Sequence, residues 1–181
     1  MEPAMLINAL PPSDLSVNTT GCCARFNPMG WDGQRLHFRH KPFVRATSRS
    51  VLHVPLNMGA VFARVQARMA AAGIADPDNT IVLSRDLSPW ESEHLFAADR
   101  RVPDEEMTTL SGDFLTRVFE GPYDKLRDWH AEMQDLAQGG DGDPARVYFY
   151  FTTCPKCAKA YGRNFVVGVA EVGRPEAAID G

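Results

Sequence analysis

From Pro42 onward the apolar and polar positions fall into blocks of two kinds, extended and helical, in a regular order. Phe43 to Val54 is rich in β-branched and Ser/Thr residues and stops at Pro55, which predicts a strand. Asn57 then offers a helix cap, and Met58, Val61, Phe62, Val65 and Met69 share one helical face, with Arg64, Gln66 and Arg68 elsewhere and Gly73 closing the segment. Thr80 to Ser84 predicts a short buried strand, Asp86 to Pro89 a turn, and Glu91 to Asp99 the hairpin partner. The order is strand, helix, strand, strand.

That order recurs. Met107 to Phe119 is extended, Gly121 and Pro122 open a second helix with Leu126, Trp129, Met133 and Leu136 on its apolar stripe, and Gly139 to Pro144 end it. Arg146 to Thr152 (RVYFYFT) and Asn164 to Val172 predict the last two strands. Equivalent helix starts at 58 and 122 are 64 residues apart, and third-element starts at 80 and 146 are 66 apart, a spacing that predicts internal duplication. The final strands, near 91 and 164, are 73 apart, and the extra length is the loop from Thr153 to Arg163, which carries Cys154 and Cys157. The expected fold class is α+β: two βαββ units forming an antiparallel sheet with two main helices and a central ligand cleft. Residues 1–41, rich in Pro, Gly and Asn with only Leu36 to Phe38 strand-like, predict an N-terminal arm. Residues 42–174 form the domain, with repeats at 42–102 and 103–174, and 175–181 a loose tail.

Composition narrows the function. The chain has 181 residues, 44% of them hydrophobic, enough for the core of one domain. With 19 basic and 23 acidic residues its net charge is −4, which argues against a nucleic-acid partner. The first residues lack a basic, then apolar, leader pattern, and no apolar run approaches a membrane span, so no membrane partner is expected. The expectation is a cytoplasmic protein whose four cysteines are free thiols, metal ligands or redox groups rather than structural disulfides. Oligomeric state has no signature in the sequence.

The stretch containing Glu106, Thr116, Phe119, Glu120, Gly121, Pro122, Tyr123 and Trp129 resembles the GyrI-like and SOUL-like effector-binding domains, with an extended segment, a Gly-Pro-Tyr turn and a helix bearing a Trp. By element order the resemblance covers about residues 42 to 172. It implies two βαββ units about a pseudo-twofold axis, with a small-molecule cleft between helices and sheet. Some members of the family are sensors fused to helix-turn-helix domains, others stand alone, and some hydrolyse reactive small molecules. The segment before Pro42 is too short for a helix-turn-helix domain, so a standalone binder or enzyme is expected. The cysteine-bearing arm and the 153–163 loop depart from the plain pattern and resemble a branch loosely labelled as hydrolases.

In families of this kind the cleft is aromatic and a strand carboxylate recognises a cation or activates water. Trp90, Glu91, Glu93 and His94 open the fourth strand, and Glu171 is its counterpart on the last strand. Alternation puts Glu91 and Glu93 on one face and His94 on the other. Glu93 is the candidate general base, because a carboxylate among aromatic rings would be desolvated and its pKa raised. An ordinary solvent-facing glutamate is the competing reading. Trp90, Tyr123, Tyr148, Tyr150 and Glu171 are the candidate ligand-binding residues, with core packing the competing reading for the tyrosines. His37, His40, His53 and His130 show no site spacing, and no phosphate loop, nucleophile elbow or zinc-protease helix is present in the sequence. The expected function is small-molecule binding with hydrolysis of a reactive or aromatic substrate. A non-catalytic sensor is the first alternative and a metal- or thiol-handling protein the second.

Cys154-Pro155-Lys156-Cys157 has the spacing of a metal knuckle, and Cys22 and Cys23 supply a second cluster. Together they predict a structural zinc site that pins the arm, with a histidine or an aspartate as the alternative fourth ligand because adjacent cysteines chelate one ion poorly. Redox use is ranked lower, since a redox pair opens a helix after a strand and this pair is expected in a hairpin loop leading to a strand.

Overall fold

A computed structural model describes residues 6–11, 14–21, 23–74, 80–137 and 146–173. It is an α+β structure of antiparallel strands and three α-helices: β1 (Arg35–Val51), β2 (Val54–Pro55), α1 (Met58–Ala71), β3 (Val82–Ser88), β4 (Glu91–Ala97), β5 (Glu106–Glu120), α2 (Leu126–Ala137), β6 (Val147–Phe151), α3 (Pro155–Tyr161) and β7 (Phe165–Gly173). The chain divides into two compact units, Pro42–Thr109 and Met1–Lys41 with Leu110–Gly181. No helix among the described residues is long and apolar enough to cross a membrane.

Both main helices lie where the apolar spacing puts them; the second is entered through a 3-10 turn, Tyr123–Lys125. The first strand is longer than expected, because Leu36–Phe38 and Phe43–Val51 are one continuous element. It ends at Val51, where Leu52 and His53 take φ of 48° and 69° and turn the chain into the short β2. β3 extends through Asp86 to Ser88, so the expected turn shrinks to Ser88–Glu91, with an irregularity in pairing between Asp86 and Ser88. The largest departure is α3, which replaces the expected hairpin loop. Gly139–Pro144 and the 175–181 tail lie outside the described residues.

In the unit Pro42–Thr109, β4 lies between β1 and β3, antiparallel to both. Val61, Val65 and Met69 of α1 pack on Val44, Ala46, Val82 and Phe96, forming an apolar core. Strand alternation carries that face on to polar residues: His94 stands between Ala46 and Ser84, and Ser92 between Ser48 and Asp86. His94 is buried, its Nε2 2.8 Å from Ser48 Oγ and its Nδ1 2.8 Å from Ser84 Oγ, with the Phe62 ring edge-on at 5.0 Å. Outside the sheet, Glu105 is clamped by Arg68 at 2.8 Å and Arg64 at 3.0 Å, which ties α1 to the chain ahead of β5.

In the other unit β7 lies between β5 and β6, again antiparallel to both. The run VYFYF in β6 is apolar on both faces, and each face has its own cover. Val147 and Phe149 join Phe119, Val166 and Ala170 under Trp129 and Met133 of α2. Trp129 stacks on Phe119 with ring centroids 5.3 Å apart. On the opposite face Tyr150 meets Trp31 at 5.4 Å and Phe26 at 6.1 Å, both from the segment before β1. Trp31, in a Pro/Gly-rich stretch, is only 1% exposed. Gly33 N–H donates to Thr116 O at 3.0 Å and Thr116 N–H to Gln34 O at 2.9 Å, so this segment is fastened to β5 by backbone pairing.

Two predictions follow from this packing. A Cβ at Gly168 would lie 2.6 Å from Met133 Sδ, and Met133 is fully buried, so Gly168→Ala should cost about 1–3 kcal/mol by overpacking, read as a lower urea midpoint. Burial holds the His94 pKa down at about 4, below its ordinary 6.5. As pH falls the unfolded chain protonates first, so the contribution of neutral His94 is intact above pH 6.5 and is lost between 6.5 and 4. Urea melts should lose about 3 kcal/mol more over that window than melts of His94→Gln, in which the difference disappears.

Candidate metal centre

β6 ends at Phe151, and Thr152 Oγ1 donates to Phe165 O at 2.7 Å, closing the strand pair where the chain leaves it. Cys154 is then the N-cap of α3 in extended conformation (φ −69°, ψ 162°), and Pro155 presets the first helical turn. Gly162, with φ 73°, ends the helix in the left-handed cap that glycine favours. An N-cap side chain and the side chain three residues later meet over the first turn, so Cys-Pro-Lys-Cys brings the Cys154 and Cys157 thiols to one spot.

The third thiol comes from the other end of the chain. Arg25 N–H donates to Val17 O at 2.7 Å and Gly21 N–H to Asn18 Oδ1 at 3.0 Å, which holds the chain on either side of the thiol close together. Tyr161 of α3 donates its hydroxyl to Cys23 O at 2.7 Å, and Cys154 N–H donates to Cys23 Sγ at 3.4 Å. Thr20 Oγ1 lies 3.2 Å from Cys157 Sγ and 3.3 Å from Cys23 O. The Sγ atoms of Cys23, Cys154 and Cys157 all lie within 4.8 Å of one another, an arrangement that could hold a metal ion. Cys157 is buried, while Cys23 and Cys154 are half-buried.

The surroundings favour thiolate. Burial alone would push the Cys157 thiol up, but hydrogen bonds from the Thr20 hydroxyl, the Cys23 backbone and the other two thiols bring it down to about 7. Backbone N–H donors to sulfur are how metal knuckles spread thiolate charge. Two phenols close by are held protonated: Tyr150 is pushed up to about 12 and Tyr123 is raised, in both cases first by burial and then by the negative sulfurs.

Of the residues singled out from the sequence, the fold gathers Cys23, Cys154 and Cys157, with Tyr123, whose hydroxyl donates to Thr153 O at 3.1 Å. Cys22 lies outside the described residues. The cysteine pair opens a helix directly after a strand, which corrects the expected hairpin loop and removes the argument used against redox chemistry. Tyr148 is buried in the core, and Glu171 is paired with Arg146 at 2.5 Å. Glu93 and Trp90 belong to the unit Pro42–Thr109. Trp90 is 57% exposed in the β3–β4 turn. Glu93 is buried, but the raised pKa expected for it is corrected: burial pushes it up, and Arg45 at 2.7 Å and Arg85 at 3.0 Å overcome this and hold it below the usual carboxylate value. Thr20 and Tyr161 were not legible as partners of the cluster, since nothing in their spacing marks them. Metal-free protein should show a thiolate absorbance step near pH 7, and Thr20→Val should move that step upward.

A protein family described as bacterial hydrolase matches residues 13–172, a span that includes the three clustered cysteines and every described α-helix and β-strand except the last residue of β7. No curated protein and no solved structure matches the chain. The match takes in most of the sequence, and the chain belongs to the bacterial hydrolase family.

Proposed function

We propose that the protein hydrolyses a small molecule and that Cys23, Cys154 and Cys157 hold a structural zinc ion fastening residues 14–34 to α3. Family membership supports the hydrolytic half of this reading. The observation that carries the metal half is the meeting of three sulfurs from positions up to 134 residues apart in the chain, within 4.8 Å. Thiolate ligands in tetrahedral reach select zinc among the common divalent ions, and a fourth donor from a side chain or water completes the shell. Three thiolates also neutralise most of the ion's pull on a bound water, which favours a structural over a water-activating role. Thiols kept reduced, as a zinc site requires, support a cytoplasmic setting.

The same reading takes the two units as copies of one βαββ repeat, as in effector-binding domains. Its support is the pairing: in each unit the first strand pairs with the last, and the last with the strand before it, giving β1·β4·β3 and β5·β7·β6.

Native mass spectrometry of purified protein should find one zinc per chain, lost in Cys154→Ser and in Cys23→Ser. Hydrogen exchange should then rise in residues 14–34 far more than in Pro42–Thr109. A metal-free wild type with a fully protected 14–34 segment would sink the zinc assignment.

A further inference from the structure

The polar patch beneath the start of α1 has the parts of an acyl-transfer site, and we propose that Ser48 is a nucleophile activated by His94 for hydrolysis of carboxylic esters with an apolar chain. The proposal rests on the hydrolase reading above and supplies the site that the Cys cluster does not.

With its proton on Nδ1, donated to Ser84 Oγ at 2.8 Å, His94 presents the Nε2 lone pair to the Ser48 hydroxyl, also at 2.8 Å. In that tautomer the pair supplies the nucleophile and base of hydroxyl catalysis, with Ser84 orienting the ring. Burial leaves His94 neutral but weakens it as a base, and the Asp86 and Glu93 charges act the other way, favouring the imidazolium. Asp86 is itself fixed, accepting from Ser92 Oγ at 2.6 Å and facing His53 Nδ1 at 2.6 Å.

A second, independent feature points to a missing ligand. Ser50, two residues along β1 on the same face as Ser48, is 4% exposed and its Oγ has no hydrogen-bond partner. A buried hydroxyl without a partner forgoes the hydrogen bonds it would make in water. A carbonyl oxygen of substrate beside Ser48 would relieve it, and the negative oxygen of the tetrahedral intermediate would do so more strongly. α1 begins next to this face: Asn57 Oδ1 accepts from Arg49 N–H at 2.7 Å, no side chain caps the helix, and its first turn holds no acidic residue. Its positive end is therefore not offset by an acidic side chain of its own first turn.

Ser48 is buried in this structure, and the turn that follows its strand is unusual. Leu52 and His53 hold left-handed backbone angles, and Leu52, Val54, Leu56 and Trp90 are all more than half exposed around the turn. This turn is joined to the β3–β4 hairpin by Ser50 N–H to Trp90 O at 2.8 Å and His53 N–H to Pro89 O at 2.9 Å. These exposed apolar side chains near Ser48 fit a substrate with an apolar chain.

The Ser48 Oγ attacks the ester carbonyl carbon as its proton passes to His94 Nε2. The tetrahedral intermediate collapses, the C–O bond to the alcohol breaks, and the departing oxygen takes the proton from Nε2. Water then attacks acyl-Ser48 by the same route and releases the carboxylic acid, restoring the hydroxyl.

Holding full-length protein with a fluorophosphonate probe, followed by peptide mass mapping, should place one adduct on Ser48. p-Nitrophenyl octanoate should be cleaved faster than the acetate. Ser48→Ala should abolish both signals, and His94→Gln should lower labelling and kcat about 10²–10⁴-fold. Ser84→Ala should lower kcat with KM unchanged, and it serves if His94→Gln fails to fold. Absence of an adduct at Ser48, or an adduct that maps elsewhere, overturns the assignment. Ester turnover that survives in Ser48→Ala also overturns it and leaves the hydrolase reading intact, whereas no label and no turnover of either ester removes both.

Discussion

A strand that is apolar on both faces needs two covers, and β6 with the sequence VYFYF imposes that requirement on its whole unit. α2 supplies one cover through Trp129 and Met133. The other must come from chain with no regular structure of its own, so Phe26 and Trp31 are drawn onto Tyr150 from a segment that looks like a loose arm. Holding irregular chain against a sheet costs conformational entropy with few backbone bonds in return. The Thr116 backbone pairing at one end of that segment and the Cys23, Tyr161 and Thr20 contacts at the other offset this cost.

The unit Pro42–Thr109 solves a different problem, the burial of carboxylates. Glu93 and Glu105 are each sequestered, and each is met by two arginines, Arg45 with Arg85 and Arg64 with Arg68. Such pairs add little net stability over apolar packing, but loss of one partner strands a charge. Their value is in register, because Arg85 stands directly across from Glu93 and a slip by one residue would send it to the other face.

Elements defined by local spacing were legible in the sequence. Met58, Val61, Val65 and Met69 mark α1, and Gly121-Pro122 marks the entry to the second helix. The Cys-x-x-Cys spacing and its distant partner cysteine were also legible, since thiol chemistry is written in residue type. α3 was obscured by its own cysteines, although Pro155 at the first helical position and Gly162 just past the end are ordinary helix signals. Trp31 was obscured by its Pro and Gly neighbours. The state of Glu93 was not legible at all, because its counter-charges sit 48 residues before it and 8 residues before it, on strands whose register no local pattern reveals. For the same reason His94 was set aside by strand alternation, when that alternation is what aligns it between Ser48 and Ser84.

The separation of Cys23 from Cys154, 131 residues, has a consequence for the growing chain. At about 5–20 residues per second, a ribosome delivers the second half of the cluster roughly 7–26 seconds after the first. During that interval Trp31 and Phe26 have no β6 to cover, and Cys23 has no α3 to meet. The Phe26 and Trp31 rings therefore stay uncovered until β6 emerges, and Cys23 stays unpaired with its partner thiols until α3 follows.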